Sequence, residues 1–149
     1  MDLAFLAGFL SHFLLDAIPH WHYSLYSKVK TDDPAKEDMK IGKSFLRDIA
    51  LIGLDFSIGI VVSILVFQGW SGFLNPSLSM LLGIIGGVLP DALQFAAWKI
   101  KKEPLLSFLR FHRWIHARKN LDHKFLVGVL SQGLCAAIVV FACFILLRQ

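Results

Sequence analysis

Apolar residues run almost unbroken through four stretches: Leu3 to Ile18, Ile49 to Phe67, Leu78 to Trp98 and Phe125 to Leu147. The last three approach or exceed the roughly 20 residues a helix needs to cross a bilayer, and the first predicts a tilted or partial crossing. A cleavable signal peptide fits the first stretch poorly, because Asp2 stands where a basic region belongs and no small-x-small site follows. Between the third and fourth stretches, "EPLLSFLRFHRWIHARKN" changes pattern. Leu105, Phe108, Leu109, His112 and His116 recur at helical spacing on one side, while Arg110, Arg113 and Lys119 fall elsewhere. That periodicity predicts an amphipathic helix lying on the membrane, with Pro104 in its first turn. "KVKTDDPAKEDMKIGKS" mixes both charge signs around a proline and reads as a solvated, mobile linker within residues 24–46. The expected fold is therefore all-α: one membrane domain over residues 1–149, with four hydrophobic helices at about 3–18, 49–67, 78–98 and 125–147 and an interfacial helix at about 104–119.

Composition strengthens this picture. The chain is 56% hydrophobic with 13 Phe, and its mean hydropathy of +0.62 exceeds that of ordinary soluble domains. The net charge of +4 is a topology signal rather than a nucleic-acid footprint, since nucleic-acid binders are basic without such greasy segments. All but one of the 15 Lys and Arg residues lie in two connections, Lys28 to Arg47 and Lys99 to Lys124; the exception is Arg148. "QGWSGFLNP" has none. The positive-inside rule then puts both basic connections in the cytoplasm and both termini outside, in a multi-pass cell-membrane protein. Trp21, Tyr23, Tyr26, Trp98 and Trp114 would form a cytoplasmic aromatic belt, with Trp70 at the opposite interface.

Small residues four apart mark expected packing faces: Ala4 with Gly8, Gly53 with Ser57, and Gly83 with Gly87, most clearly in "GIIGG". Cys135 and Cys143, the two cysteines, are separated by about 12 Å of helical rise, too far to bridge one another.

The polar residues inside the apolar stretches carry the chemistry, because an ionisable group in a bilayer costs a few kcal/mol or more and needs a partner or a purpose. His12 lies eight residues before His20, Asp55 eight after Arg47, and Asp91 eight before Lys99. Each therefore sits about 12 Å below one cytoplasmic boundary. His12 and Asp16 are i, i+4 and share a helical face. Pro19 should fray the first helix and expose "PHWH" at the interface, where His20 and His22 are expected to be solvated. Pro90 removes a hydrogen bond to Gly86 and should kink the third helix where Asp91 projects. His112 and His116, again i, i+4, are placed to close a cavity beside that kink from above. Asp122 fits an N-cap for the fourth helix.

Imidazoles and carboxylates on facing helices are what a divalent metal site in a bundle uses. Nitrogen and oxygen donors without thiolates suit zinc, manganese or iron, and argue against structural zinc. The expected ligands are His12, Asp16 and Asp91, with His112, His116 or Asp55 completing the set. A metal with an open position acidifies a bound water. Asp55, if it is not a ligand, would be the general base, and Arg113 or Arg118 would hold a phosphate.

"GFLSHFLLDAIPHW", "GGVLPDALQF" and "HRWIH" together resemble the small integral-membrane proteins known as predicted membrane-bound metal-dependent hydrolases. Their pattern of G-x-x-S-H-x-x-x-D, then G-x-x-x-P-D, then a His-rich segment maps onto Gly8, Ser11, His12 and Asp16, onto Gly86, Pro90 and Asp91, and onto His112, Arg113 and His116. Such proteins often carry an upstream helix with a further His, whereas this chain starts almost at "LAFLAG", so the resemblance implies a shortened form. The HxxxH segment lacks the Glu of the metalloprotease motif, which argues against peptide hydrolysis.

The expected activity is metal-assisted hydrolysis of a phosphoester or ester, with a lipid entering sideways from the bilayer as the favoured substrate. Two rivals make different demands. A proton- or ion-coupled transporter needs polar residues strung across the whole bilayer, whereas these stop about halfway. A non-enzymatic scaffold would use the cluster only to lock helices together and would bind no metal.

Overall fold

The computed structural model describes residues 3–21, 24–29, 31, 33–68, 75–116 and 125–146. Among them the elements are α1 (Leu3–Asp16), a two-stranded ladder β1 (Lys28–Val29) and β2 (Asp38–Met39), α2 (Lys43–Gln68), α3 (Leu78–Ile100), α4 (Leu105–Ile115) and α5 (Phe125–Leu146). The fold is all-α apart from that ladder.

α2 and α3 are long and apolar enough to cross a membrane. Only 6% of the apolar window of α2 and 17% of that of α3 is buried within the protein. A soluble core helix would be mostly covered, so these surfaces call for a bilayer and the protein is membrane-associated. Leu54, Ile58 and Val62 illustrate the exposure, at 60%, 54% and 51%. α1, at 14 residues, is short for a full crossing.

α1 packs along α3 at backbone contact. A Cβ on Gly8 would run into the Gly83 carbonyl oxygen, and one on Gly86 would run into that of Phe5. Ala4 faces Gly83 from the same side of α1. The close approach expected of Ala4, Gly8 and "GIIGG" is thus realised between these two helices. Gly53 and Ser57 do otherwise: nothing lies within 4 Å of a Cβ on Gly53, and Ser57 Oγ donates to its own helix at the Gly53 carbonyl, 2.7 Å away. That pair looks outward because α2 leaves most of its surface uncovered.

α3 runs unbroken through Pro90, which is buried. It ends at Lys101, whose φ of 53° is left-handed and whose N–H donates to the Ala97 carbonyl. Ser77 caps the other end, accepting from the Met80 N–H.

The segment expected to be a solvated linker instead folds down on the helices. Lys28 pairs with Met39 and Val29 with Asp38 in antiparallel register. Met39 packs in a small core with Ala97, Trp98 and Leu109. Glu37, though charged, is buried and accepts from Trp98 Nε1 at 3.1 Å. Lys99 donates to Asp38 at 2.7 Å and to the Met39 carbonyl. The base of the hairpin is tied to α2 by Asp48, whose Oδ2 accepts from both the N–H and the hydroxyl of Ser27 at 2.7 Å. The polar residues that suggested solvation are the ones that anchor the segment.

Candidate metal centre

One polar atom at the centre is held by backbone, and the others meet side chain to side chain. His12 projects from α1 toward α3, where its Nδ1 lies 2.9 Å from the Gly87 carbonyl oxygen. A carbonyl only accepts, so Nδ1 carries a proton, and Nε2 is the ring nitrogen that would offer its lone pair to a bound cation. That Nε2 lies 3.2 Å from Asp16 Oδ2 and 3.3 Å from His112 Nε2. His112 Nε2 in turn lies 2.8 Å from Asp16 Oδ2. Asp91 Oδ1, from α3, stands 3.7 Å from His12 Nε2.

These separations match coordination chemistry. Ligand atoms held 2.0–2.1 Å from a tetrahedral ion lie about 3.3 Å from one another. His12, Asp16 and His112 present three such atoms at close to that spacing. With a cation in place of the shared protons, these atoms would serve as lone-pair donors with little water around them: His112 is 1% exposed. His112 Nδ1 has no hydrogen-bond partner among the described residues, so the ring is oriented by packing, between Phe13 and Phe108.

A second group adjoins the first. Asp16, His20 and His116 also present ligand atoms within 4.8 Å of one another. His20 is buried, contrary to its expected solvation. Beyond α1 the chain turns back rather than fraying into water: the Ala17 and Ile18 N–H groups donate to Phe13 and Leu15. Trp21 then packs against Gly128 of α5, whose Ser131 hydroxyl lies 3.3 Å from the Pro19 carbonyl. His20 is thereby tucked under α4, its ring 5.0 Å from that of His116. The missed signal was its spacing: His20 follows Asp16 by four residues, as Asp16 follows His12.

The clusters border a cavity of about 1060 Å³, large enough for an extended organic ligand. Asp55, Ile52 and Phe56 of α2 line one wall, and Asp91 of α3 lines another. Lys28, Glu37 and Arg113 also line it. Asp91 joins neither cluster, and at 65% exposure its side chain is open to the cavity. Asp55 likewise lines the cavity and joins neither cluster. Arg113 pairs with Glu37 at 3.5 Å. Arg118 lies outside the described residues, as do His22, Tyr23, Trp70, Lys119, Asp122 and His123.

Fold and site together define a small helical membrane-associated protein with two His/Asp clusters whose geometry is able to coordinate metal. No protein-family model, curated protein or solved structure matches the chain.

Proposed function

We propose that the protein is a membrane-embedded, metal-dependent hydrolase acting on a phosphoester or ester, with a lipid as favoured substrate, at the cytoplasmic face. The observation that carries this reading is the convergence of His12 Nε2, Asp16 Oδ2 and His112 Nε2 on one point beside a large cavity. The donor set suits zinc, manganese or iron. A divalent ion there supplies Lewis acidity toward water and toward an ester oxygen.

The chain's own residues do the rest. Asp91, 3.7 Å from His12 Nε2, is near enough to complete the donor set by a rotamer change. Asp55, which lines the same cavity, would take the proton of the attacking water. Arg113 and Lys28 offset the charge of a phosphate. The apolar side chains of Ile52 and Phe56 in the same cavity suit an amphiphile. The concentration of Lys and Arg in two connections supports a cytoplasmic position for the cavity, with both termini outside.

The test is metal content and lipid phosphoester hydrolysis of detergent-purified protein prepared without chelators. Bound metal lost in Asp16→Asn and His112→Ala, with hydrolysis that chelation abolishes and metal restores, supports the proposal. Metal-free wild-type protein supports the scaffold instead.

A further inference from the structure

We propose that the site is dinuclear, with Asp16 as a carboxylate bridge between two divalent cations, the second held by His20 and His116. This rests on the metal-site reading above and deepens it. Asp16 is common to both clusters, and a carboxylate has two oxygens with which to serve two ions.

Three further observations point the same way. First, the donors repeat. His12, Asp16 and His20 are spaced four residues apart along one strand of chain, while His112 and His116 are spaced four apart on the facing one. The result is two imidazole pairs, one turn apart along α4, with ring centroids separated by 5.2 Å for His12 with His112 and by 5.0 Å for His20 with His116. Second, the tautomers repeat. His20 Nδ1 lies 2.7 Å from the Ile18 carbonyl oxygen, as His12 Nδ1 lies 2.9 Å from that of Gly87. Each carbonyl fixes the proton on Nδ1, leaves Nε2 as the donor atom and holds the ring, as the outer partners of metal-binding histidines do. Third, His20 is 7% exposed although it follows a helix end and a proline. A histidine in that position would be free to face water, yet it is folded inward beside Asp16.

Two ions sharing a carboxylate are the arrangement used for in-line displacement at phosphorus, where one charge serves the attacking oxygen and the other the leaving oxygen. A dinuclear site therefore suits the phosphoester branch of the proposed activity.

The experiment is manganese titration of full-length, detergent-purified protein, read by metal analysis and by electron paramagnetic resonance. Two Mn²⁺ per chain with an exchange-coupled spectrum are expected in the wild type. His20→Ala and His116→Asn should each hold one ion and give an uncoupled spectrum. One ion per chain in the wild type at saturation, uncoupled and unchanged by His20→Ala, overturns the dinuclear site while leaving the His12, Asp16 and His112 site standing. Two ions that survive both variants also overturn it. No binding at all removes the metal-site reading itself. The wild-type stoichiometry and coupling decide the matter even if a variant fails to fold.

Discussion

His112 Nε2 lies 2.8 Å from Asp16 Oδ2, joining an amphipathic helix to the end of an apolar one across 96 residues of chain. His112 is the most enclosed member of the cluster, so it bears both on cation binding and on the docking of α4. His112→Gln should retain the fold yet weaken Mn²⁺ or Zn²⁺ binding at least tenfold, the scale on which even outer-shell changes act. Titration monitored by calorimetry gives the answer, and an unchanged affinity would exclude His112 as a ligand.

The α1–α3 contact should be intolerant of a single methyl group. Gly8→Ala places a Cβ against the Gly83 backbone, which has no flexible end to swing away. A loss of about 2 kcal/mol or more is expected, visible as a lower unfolding temperature in detergent. Gly53→Ala is the control. With nothing within 4 Å, it should be neutral or stabilise α2 by up to roughly 1 kcal/mol. Equal effects of the two would contradict the packing described.

Glu37 holds the hairpin to the helices. Its carboxylate receives Trp98 Nε1 and lies 3.5 Å from Arg113 and 3.8 Å from Lys28. Glu37→Ala should cost about 3 kcal/mol by removing the carboxylate that Trp98 and Arg113 share, and should expose residues 24–42 to protease. Glu37→Gln keeps an acceptor for the indole and should cost less. Cleavage rates of the two variants distinguish anchoring from incidental contact.

Acid should loosen the same hairpin. The hydrogen bond from the Lys99 ammonium holds the Asp38 carboxyl below its ordinary value of 3.8. A depressed folded-state value means that the contribution is fully present above about pH 4 and fades as pH falls through the lower, folded value. Hydrogen-exchange protection at Met39 and Lys40, taken relative to the intrinsic rate at each pH, should fall on acidification past that point in the wild type. In Asp38→Asn it should be low at neutral pH already, and wild-type protection that ignores acid would remove Asp38 from this role.

Lys101 ends α3 in the left-handed region at φ 53°, where a side chain is strained and glycine is not. Lys101→Gly should raise stability by roughly 0.5–1 kcal/mol, and Lys101→Val should lower it. Thermal unfolding of the two variants should therefore move in opposite directions.

Several features were legible before any coordinates. The His12–Asp16 face follows from helical spacing, and the closeness of Asp91 follows from equal depth below one boundary, since a rod in a bilayer converts residue count into height. The buried face of the amphipathic helix, with Leu109 and His112, follows from its periodicity. Other features were not legible. His20 looked solvated because a proline and a helix end usually lead into water; the turn through Ala17 and Ile18 and the cover from α5 bring it back. The hairpin looked like linker because charge normally means solvent, and nothing in "KEDMK" says that Trp98, Lys99 and Arg113 stand ready to receive it.

By itself, then, the sequence determined the apolar helices and the helical face that His12 and Asp16 share, because each is a one-dimensional property of composition and rise per residue. Only the tertiary structure decided which of the ionisable side chains meet. Meeting depends on helix rotation and on backbone approach at Gly8, Gly83 and Gly86, and a separation of 3 Å between residues a hundred positions apart is written in no local pattern.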